Sequence, residues 1–271
     1  MNGPLHAEGA VSLFVDWSSM DVPAPSASEA WDEFFSDFYL RAYADAEGEQ
    51  EAREQAVAAA ELAECPAGGE LLDVPCGFGR HAIPLAQAGY RVTGVDRSEV
   101  LLEEAARRAR EEPRPKLVRA DYRELPFAEE SFDAALNLFT SLGYLGDEGD
   151  TQVLGEIHRV LRPGGRLVIE TLHRDWLARH FAERNWRSLG EGRVLLEQST
   201  FDLQSGLSQA TQTVIDSGGV RESRSFSVRV YTATELVAML TRAGFARATC
   251  YGALDRAPLS SDSRLAIVAK R

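Results

Sequence analysis

The sequence predicts an α/β protein with a doubly wound, mostly parallel sheet, a helical cap before the sheet and an antiparallel insertion late in the chain. Three observations lead to this prediction. Short apolar runs alternate with helical patterns between residues 70 and 171, which is typical of parallel strands joined by helices. A long stretch with helical periodicity precedes them. Near the end, alternating polar and apolar segments follow one another across glycine turns, as in an antiparallel sheet.

Residues 1–69 are expected to form an N-terminal arm followed by the helical cap. Prolines interrupt the start of the chain, which lacks periodicity and is expected to be held only loosely. From Ser28 onward aromatic side chains recur three or four positions apart, which predicts one helix with an aromatic face. These aromatic residues are Trp31, Phe34, Phe35, Phe38, Tyr39 and Tyr43. A second, alanine-rich helix is predicted from about Gly48 to Glu64.

The predicted core comprises residues 70–171 and 232–271. Its strands are expected at 71–74, 90–96, 116–120, 132–138, 166–171, 247–252 and 264–270. Its helices are expected at 80–88, 98–110, 150–161 and 232–243, the second of them capped by Ser98. Residues 172–231 are predicted to form the antiparallel insertion, with strands near 193–203, 207–217 and 221–231.

The composition excludes several classes of protein. Of the 271 residues 44% are hydrophobic, so the chain can bury a substantial core. Its net charge of −13 argues against a nucleic-acid partner, which requires cationic groups to replace phosphate counterions. No apolar run approaches the roughly 20 residues of a membrane helix, and the start lacks a secretory pattern, so a cytoplasmic protein is expected. Three cysteines without a CxxC pair indicate neither a disulfide framework nor a zinc site.

The turn after the first predicted strand is the most informative stretch and reads LLDVPCGFGRHA over residues 71–82. Gly77 and Gly79 lie between a strand and a helix, where glycine lets the backbone approach a ligand and the helix offers unpaired N–H groups. Their spacing also satisfies the loose dinucleotide fingerprint, so the turn alone leaves a nicotinamide cofactor open.

Three aspartates near strand ends narrow the choice of ligand. Asp73 precedes the glycines within the turn, where its carboxylate would meet a cation rather than a pyrophosphate. Asp96 ends the second strand about 20 residues after the glycines, where a carboxylate accepts hydrogen bonds from ribose hydroxyls. Asp121, followed by Tyr122, ends the third strand, where an acceptor for an exocyclic amine would lie. A ligand with a positive centre, a ribose and an adenine suits this set, and S-adenosylmethionine is such a ligand.

Residues 70–171 resemble the class I S-adenosylmethionine-dependent methyltransferases. The matching segments are LLDVPCGFG, VTGVDRS, ADYRELPFAEESFDAALNLFTSLGYL and HRVLRPGGRLVIE. The resemblance implies a Rossmann-like, seven-stranded, mostly parallel sheet with the insertion after its fifth strand. The residues that it implies for cofactor binding are Tyr39, Tyr43, Asp73, Pro75, Cys76, Gly77, Gly79, Asp96, Arg97, Asp121, Tyr122, Asn137, Leu138 and Phe139.

Within that set the resemblance implies different roles. The glycine turn would follow the methionine portion, Asp96 would hold the ribose, and Arg97 would lie beside the adenine. Residues 137–139 would line the methyl-donor side, and the aromatic helix would close over the cofactor as a lid. Pro75 replaces the small residue common at its position, and Cys76 is interpreted as a small buried residue of the turn rather than a nucleophile.

The rest of the chain is similar, more loosely, to small-molecule methyltransferases such as sugar N,N-dimethyltransferases and glycine N-methyltransferases. This similarity rests on the antiparallel extension and on the later segment YTATELVAMLTRAGF. It implies that residues 172–231 shape either an acceptor site or an oligomer interface, which leaves a homodimer open.

Two residues are candidates for the chemistry on the acceptor. His173 directly follows the fifth strand, at the edge where ligands bind in such sheets, and could act as a general base towards a hydroxyl. Tyr144 follows the fourth strand and is a comparable candidate. An amine acceptor would need only its neutral form. No HExxH or similar spacing is present, so no metal is expected.

The expected acceptor is a small molecule, methylated on nitrogen or oxygen. The fourth-strand motif, NLFT at residues 137–140, lacks the (Asn/Asp)-Pro-Pro-(Tyr/Phe) pattern of methyltransferases that act on exocyclic amines of nucleic acids. Three alternatives stay open: a tRNA or RNA methyltransferase, a protein that binds S-adenosylmethionine without turnover, and a nicotinamide-dependent oxidoreductase. The oxidoreductase is disfavoured because the chain contains no Tyr-x-x-x-Lys pair.

Overall fold

The computed structural model describes residues 29–44 and 48–271, so the predicted N-terminal arm lies outside the described residues. The helices are α1 (Glu29–Phe34), α2 (Asp37–Tyr43), α3 (Glu49–Leu62), α4 (Ala82–Gln87), α5 (Glu99–Arg108), α6 (Gly146–Val160), α7 (Arg174–His180) and α8 (Ala233–Arg242). The strands are β1 (Glu70–Asp73), β2 (Arg91–Asp96), β3 (Lys116–Arg119), β4 (Phe132–Asn137), β5 (Leu161–Thr171), β6 (Arg184–Gly190), β7 (Arg193–Asp202), β8 (Leu207–Ile215), β9 (Arg221–Arg229), β10 (Arg247–Tyr251) and β11 (Leu265–Lys270). None of the described helices combines the length and apolarity that crossing a bilayer requires.

The central sheet has seven strands in the order β10-β11-β5-β4-β1-β2-β3. The five strands from β5 to β3 are parallel, whereas β11 runs antiparallel to both β5 and β10. The predicted fold class is therefore confirmed. Because parallel strands end at the same edge of a sheet, Asp73, Asp96 and Asn137 at the ends of β1, β2 and β4 come close together.

The helices cover both faces of this sheet. On β1, Leu71 packs in an apolar cluster with α3 and α4, whereas its neighbour Leu72 packs in a second cluster with α6 and α8. Successive side chains of a strand point to opposite faces, so a strand that is buried on both sides must be apolar throughout. This explains the continuous apolar runs of the predicted core. It also leaves the ends of the strands as the place where polar groups are tolerated.

The aromatic segment of the cap forms two helices, so the prediction of one continuous helix is wrong. Ser36 ends the first and caps the second: its hydroxyl donates to the Glu33 carbonyl at 2.6 Å and accepts from the Phe38 amide at 3.3 Å. A serine side chain that binds nearby backbone groups competes with the helical bonds, which is why the helix breaks here. The aromatic face then packs on the insertion, with the rings of Phe34 and Phe226 4.4 Å apart.

The insertion is a four-stranded antiparallel sheet in the order β6-β7-β8-β9. The predicted set of three strands omitted β6, which pairs with β7 at the edge of the sheet. The sequence of β6, RNWRSLG, lacks the apolar alternation of a half-buried strand, and its residues are mostly exposed. Pairing along the backbone, rather than burial of side chains, places this strand.

A buried hydrogen-bonded junction joins the insertion to the core. Asp150 of α6 is fully buried, and its Oδ2 accepts from the Gly143 amide at 2.8 Å and from the Tyr231 hydroxyl at 2.7 Å. Gly143 has a φ of +107°, and a Cβ there would lie 2.2 Å from the Arg229 carbonyl oxygen. Only glycine therefore lets the loop after β4 lie against the end of β9.

Replacing Tyr231 by Phe tests this junction. The change removes one donor from a buried carboxylate, so we expect the free energy of unfolding to fall by about 1–3 kcal/mol. Urea denaturation at pH 7 measures it. Tyr90→Phe is the matched control, because the Tyr90 side chain is half-buried and makes no hydrogen bond to the described part of the chain. Equal stability of the two variants would contradict the assignment.

Candidate active site

A cavity of about 960 Å³ lies at the edge of the central sheet where β1, β2, β3 and β4 end. The loops after these strands form one wall, and the inward face of the four-stranded sheet forms another. Side chains of α1, α2 and α7 complete the enclosure. Ligand pockets commonly measure about 300–1,000 Å³, so this volume suits a cofactor together with a small second ligand.

The glycine turn presents bare backbone to the cavity. Gly77 lines the cavity with a φ of +52°, and a Cβ added there would meet no atom within 4 Å. Gly79 has a φ of +80°, and its Cβ would lie 2.9 Å from Ile83 Cδ1. The first glycine therefore leaves open space for a ligand, and the second allows the start of α4 to pack closely.

Asp96 links the glycine turn to the loop after β2. Its side chain is buried, with Oδ2 accepting from the Gly77 amide and Oδ1 from the Ser98 amide, both at 2.8 Å. Burial raises the pKa of this carboxyl, although hydrogen bonds from the backbone of Ser98, Gly77 and Arg97 oppose the shift. Asp96 and Arg97 both line the cavity.

Asp73 lies behind the cavity wall rather than in it. It is 1% exposed, and its Oδ2 has no hydrogen-bond partner among the described residues. Burial raises the pKa of this carboxyl from 3.8 to about 8, repulsion by Asp96 adds to the shift, and a hydrogen bond from the Ala82 backbone opposes it. Two buried acids without a cation thus stand beside the glycine turn.

The end of β4 carries backbone strain next to the cavity. Phe139 and Thr140 have φ values of +61° and +57°, which non-glycine residues adopt at a cost of about 1–3 kcal/mol each. Before them, Asn137 is fully buried and donates from Nδ2 to the Val74 carbonyl at 2.7 Å, while its Oδ1 has no partner in the described structure. Leu138 and Phe139 line the cavity, whereas Asn137 does not.

Glu170 and Arg264 hold this strained loop, and the sequence did not identify either residue. The Phe139 amide donates to Glu170 Oε2 at 3.1 Å, and the Thr140 amide donates to the Glu170 carbonyl at 3.1 Å. Arg264 pairs with the Glu170 carboxylate and donates to Thr140 Oγ1 at 2.9 Å. Distant segments supply these side chains, so no local motif could have revealed them.

The adenine side predicted by the resemblance is also part of the cavity. Asp121 and Tyr122 line it, but Arg123 binds the Asp121 carboxylate at 2.6 Å and lowers its pKa. The Tyr122 ring lies 5.9 Å from that of Trp31, and its buried hydroxyl has no partner among the described residues. Arg97 lies over the same Trp31 ring at 5.1 Å. This end therefore offers flat aromatic and guanidinium surfaces.

The aromatic cap encloses the opposite side of the turn. The rings of Tyr39 and Tyr43 stack 4.7 Å apart and both line the cavity. Tyr39 lies 6.3 Å from the ring of Phe78, and Tyr43 lies 6.5 Å from the ring of Phe139. Burial raises the pKa of both phenols, so both stay protonated near neutral pH. Pro75 and Cys76 complete the lining of the turn.

The two candidates for acceptor chemistry lie in different places. Tyr144 lines the cavity, with its ring 5.1 Å from that of Phe35, and burial raises the pKa of its hydroxyl well above the usual range. His173 is 3% exposed and lies outside the cavity lining, with Nε2 3.5 Å from Asp175 Oδ2. Its neighbour Leu172 lines the cavity instead. The structure therefore brings Tyr144, but not His173, to the cavity.

The insertion contributes a polar group that the sequence did not single out. Glu197 of β7 lies directly opposite Gln212 of β8, and both line the cavity. Gln212 Nε2 donates to Glu197 Oε2 and to the Tyr43 hydroxyl, both at 2.6 Å. The sequence did carry a signal for this pair. Glu197 and Gln212 are polar, although the residues two positions away on the same face, Leu195 and Val214, are apolar and buried.

Among the described residues, no group of three or more acids, cysteines or histidines could hold a metal ion.

Comparison with known proteins gives matches to methyltransferases. A family model described as a methyltransferase domain matches residues 71–165. An uncharacterized methyltransferase of Synechocystis sp. is 32% identical over 156 residues, which cover 55% of this chain and 68% of that protein. The chain spans only 37% to 52% of the length of other curated methyltransferases that it matches.

Solved structures extend the similarity beyond the core. The CcbJ methyltransferase from Streptomyces caelestis has a TM-score of 0.75 at 24% identity, covering 91% of this chain and 99% of that one, and shows the fold alone. CalS10, an amino pentose methyltransferase from Micromonospora echinaspora with S-adenosylmethionine bound, has a TM-score of 0.65 at 25% identity. That match covers 86% of this chain and 96% of CalS10, which is more than the core by itself.

Replacing Asp73 by Asn tests the buried acid. Because the pKa of Asp73 rises from 3.8 to about 8 on folding, the native chain keeps a proton that the unfolded chain releases. This contribution to the free energy of unfolding is complete below about pH 4 and is lost as the pH rises towards 8. In the ligand-free Asn variant, we expect the free energy of unfolding to fall less between pH 5 and pH 8. Urea denaturation at both pH values measures the difference, with Asp255→Asn as control, and identical slopes in wild type and Asp73→Asn would contradict the assignment.

Proposed function

We propose that this chain, which belongs to the S-adenosylmethionine-dependent methyltransferases, transfers a methyl group to a nitrogen or oxygen of a small-molecule acceptor held in the cavity. The observation that carries the proposal is a single cavity bounded by both the glycine turn and the polar face of the insertion. A donor bound on one wall and an acceptor bound on the other would share one enclosed space. CalS10, an amino pentose methyltransferase, supports a small polar acceptor.

The described residues fit S-adenosylmethionine on three points. Open space at Gly77 admits a ligand against the backbone. The buried acids Asp73 and Asp96 have no cationic partner in the described structure, and a positively charged ligand would relieve their repulsion. The buried Tyr122 hydroxyl lines the cavity without a partner among the described residues, and the polar atoms of an adenine could bind it. When bound, S-adenosylmethionine supplies an electrophilic methyl group on a positively charged sulfur.

We propose the following roles for the chain's own residues. The glycine turn and Asp73 lie towards the methionine portion, Asp96 holds the ribose, and Arg97 with Asp121 and Tyr122 borders the adenine. Leu138 and Phe139 border the methyl group. In domain terms, residues 70–171 and 232–271 bind the cofactor, residues 172–231 shape the acceptor side, and the cap in residues 1–69 closes over both.

Enclosure and orientation supply most of what this protein adds to the reaction. The aromatic rings of the cap border the space between the two walls, and with both ligands bound they would reduce its exposure to water and strengthen the polar contacts there. Holding the acceptor in line with an activated methyl group removes most of the entropic barrier. Tyr144 keeps its proton near neutral pH, so we assign it to donate a hydrogen bond to the acceptor rather than to remove a proton.

Replacing Asp96 by Ala tests the cofactor site. The change removes a buried carboxylate whose hydrogen bonds to charged or polar partners are worth about 1.5–3 kcal/mol each, so we expect S-adenosylhomocysteine to bind at least about tenfold more weakly. Isothermal titration calorimetry measures the affinity, with Asp255→Ala, outside the cavity, as control.

A thermal-shift measurement on the wild type tests the class of cofactor. S-adenosylhomocysteine should raise the melting temperature and NAD should not. Unchanged affinity in Asp96→Ala would remove the ribose assignment, and stabilisation by NAD alone would favour the oxidoreductase alternative.

The positions of Tyr144 and His173 lead to opposite expectations for their variants. Tyr144→Phe removes a hydroxyl from the cavity and should lower kcat/KM by about tenfold, with unchanged affinity for S-adenosylhomocysteine. His173→Gln changes a residue outside the lining and should leave kcat/KM within about twofold. Release of S-adenosylhomocysteine across a panel of small amines and alcohols measures both. The reverse pattern would restore His173 as the candidate base.

A further inference from the structure

We propose that Glu197, supported by Gln212, selects acceptors that carry an ammonium group. The inference rests on the proposed function, because it assigns the insertion side of the cavity to the acceptor. It concerns binding and specificity, and names a cationic small molecule as the substrate class.

The pairing of β7 with β8 determines where these side chains lie. Glu197 and Gln212 are register partners, so their side chains project from the same face of the sheet. That face also presents Ser199, Ala210 and Phe226 to the cavity. Inward positions further along the same two strands are apolar and pack against the cap. Along the register the polar row continues to Asn185 of β6 and to Arg224 of β9, so Glu197 and Gln212 lie within a polar row that crosses the sheet.

Glu197 differs from most other acids that line the cavity. Among the described residues, three lining carboxylates pair with arginine: Asp32 with Arg97, Glu99 with Arg119, and Asp121 with Arg123. Asp96 binds two backbone N–H groups and is assigned to the cofactor. The carboxylate of Glu197 accepts only from the neutral donors Gln212 Nε2, at 2.6 Å, and Ser199 Oγ, at 3.3 Å, within the part of the chain that the structure describes.

Two arginines beside this group bind elsewhere. Arg224, the register partner of Gln212 on β9, pairs with Glu222 at 2.9 Å. Arg187 borders a small adjoining pocket together with Glu197, but its guanidinium lies 4.8 Å from the Tyr43 ring centre and donates to the Ala42 carbonyl at 2.7 Å. Arg80 and Arg264 also line the main cavity, where Arg80 lies over the Phe139 ring. Among the described residues, Glu197 therefore lines the cavity without an ion-pair partner.

The side chain of Gln212 also has an acceptor atom that no hydrogen-bond donor contacts among the described residues. It is 2% exposed, and its two amide hydrogens are used by Glu197 and Tyr43. Its Oε1 is buried and has no donor among the described residues. A buried acceptor without a donor costs free energy, and such groups call for a partner. The pair is thus rich in acceptors and lacks donors.

An ammonium group supplies what this pair lacks. It carries three N–H donors and a positive charge, whereas a hydroxyl carries one donor and no charge. Hydrogen bonds between ions are about twice as strong as neutral ones, and the enclosed site screens them weakly. The aromatic rings of Tyr43, Tyr144 and Phe226 at this end also favour a cation over a neutral group.

Matched amine and alcohol probes test the proposal. The pairs are benzylamine with benzyl alcohol, cyclohexylamine with cyclohexanol, and glucosamine with glucose, each titrated at pH 7 by calorimetry or NMR with and without S-adenosylhomocysteine. We expect wild type to bind at least one amine about tenfold or more tightly than its alcohol. Glu197→Gln should abolish this preference, Glu197→Asp should weaken it, and Glu183→Gln should retain it, because Glu183 is exposed outside the cavity lining.

The affinity for S-adenosylhomocysteine separates this inference from the proposed function. Unchanged cofactor affinity in Glu197→Gln shows a folded protein, so loss of the amine preference there supports the selector role. Failure of wild type to bind the cofactor would count against the proposed function, while the probes in ligand-free protein still test Glu197. The proposal is overturned if wild type shows no amine preference in any pair, or if Glu197→Gln retains it. If Glu197→Gln does not fold, the same criteria apply to Glu197→Asp.

Discussion

The carboxylate of Asp96 is the contact on which the organisation of the site depends. Its two oxygens accept from the Gly77 and Ser98 amides, so one side chain sets the distance between the glycine turn and the loop after β2. Ser98 then caps α5 and donates from its hydroxyl to the Phe35 carbonyl at 2.7 Å, which attaches the aromatic cap to the same loop. Core, turn and cap are therefore positioned through one buried acid.

Without a ligand, this arrangement lowers the stability of the folded chain. Asp73 and Asp96 are both buried and repel one another, and Phe139 with Thr140 holds a left-handed backbone at the end of β4. Groups with a strongly shifted pKa and residues with a strained backbone are common at functional sites. They persist because the surrounding structure holds them in a conformation that suits a ligand. Here Glu170 and Arg264 bind the strained loop, and the apolar clusters on both faces of the seven-stranded sheet supply stability that offsets the cost of burying the acids.

The central sheet and the four-stranded sheet contribute different kinds of surface to the cavity. The central sheet presents strand ends and loops, which suit a ligand that must meet bare backbone and carboxylates together. The insertion presents a strand face, where alternate side chains form a surface that can change without disturbing the core. The family model matches residues 71–165, within the central sheet, whereas Glu197 and Gln212 lie beyond it. Under the proposed function, recognition of the acceptor would fall to a strand face that can change without disturbing the core, which is consistent with a common core serving many substrates.

The sequence alone determined the features that depend on neighbouring residues. Apolar runs, the glycine turn, the position of Asp96 and the cap at Ser98 are each written in a few consecutive positions, and they were enough to predict the fold class and the ligand-binding edge. The break at Ser36 escaped prediction because one serine within a periodic aromatic pattern is a weak local signal. Strand β6 escaped it because backbone pairing, not apolar alternation, places that strand. Only the tertiary structure turned Leu172 rather than His173 towards the cavity, since adjacent side chains leaving a strand point in opposite directions. It also brought Glu197 to Gln212 and Arg264 to Glu170, because the register between strands, not any local pattern, decides which distant side chains meet.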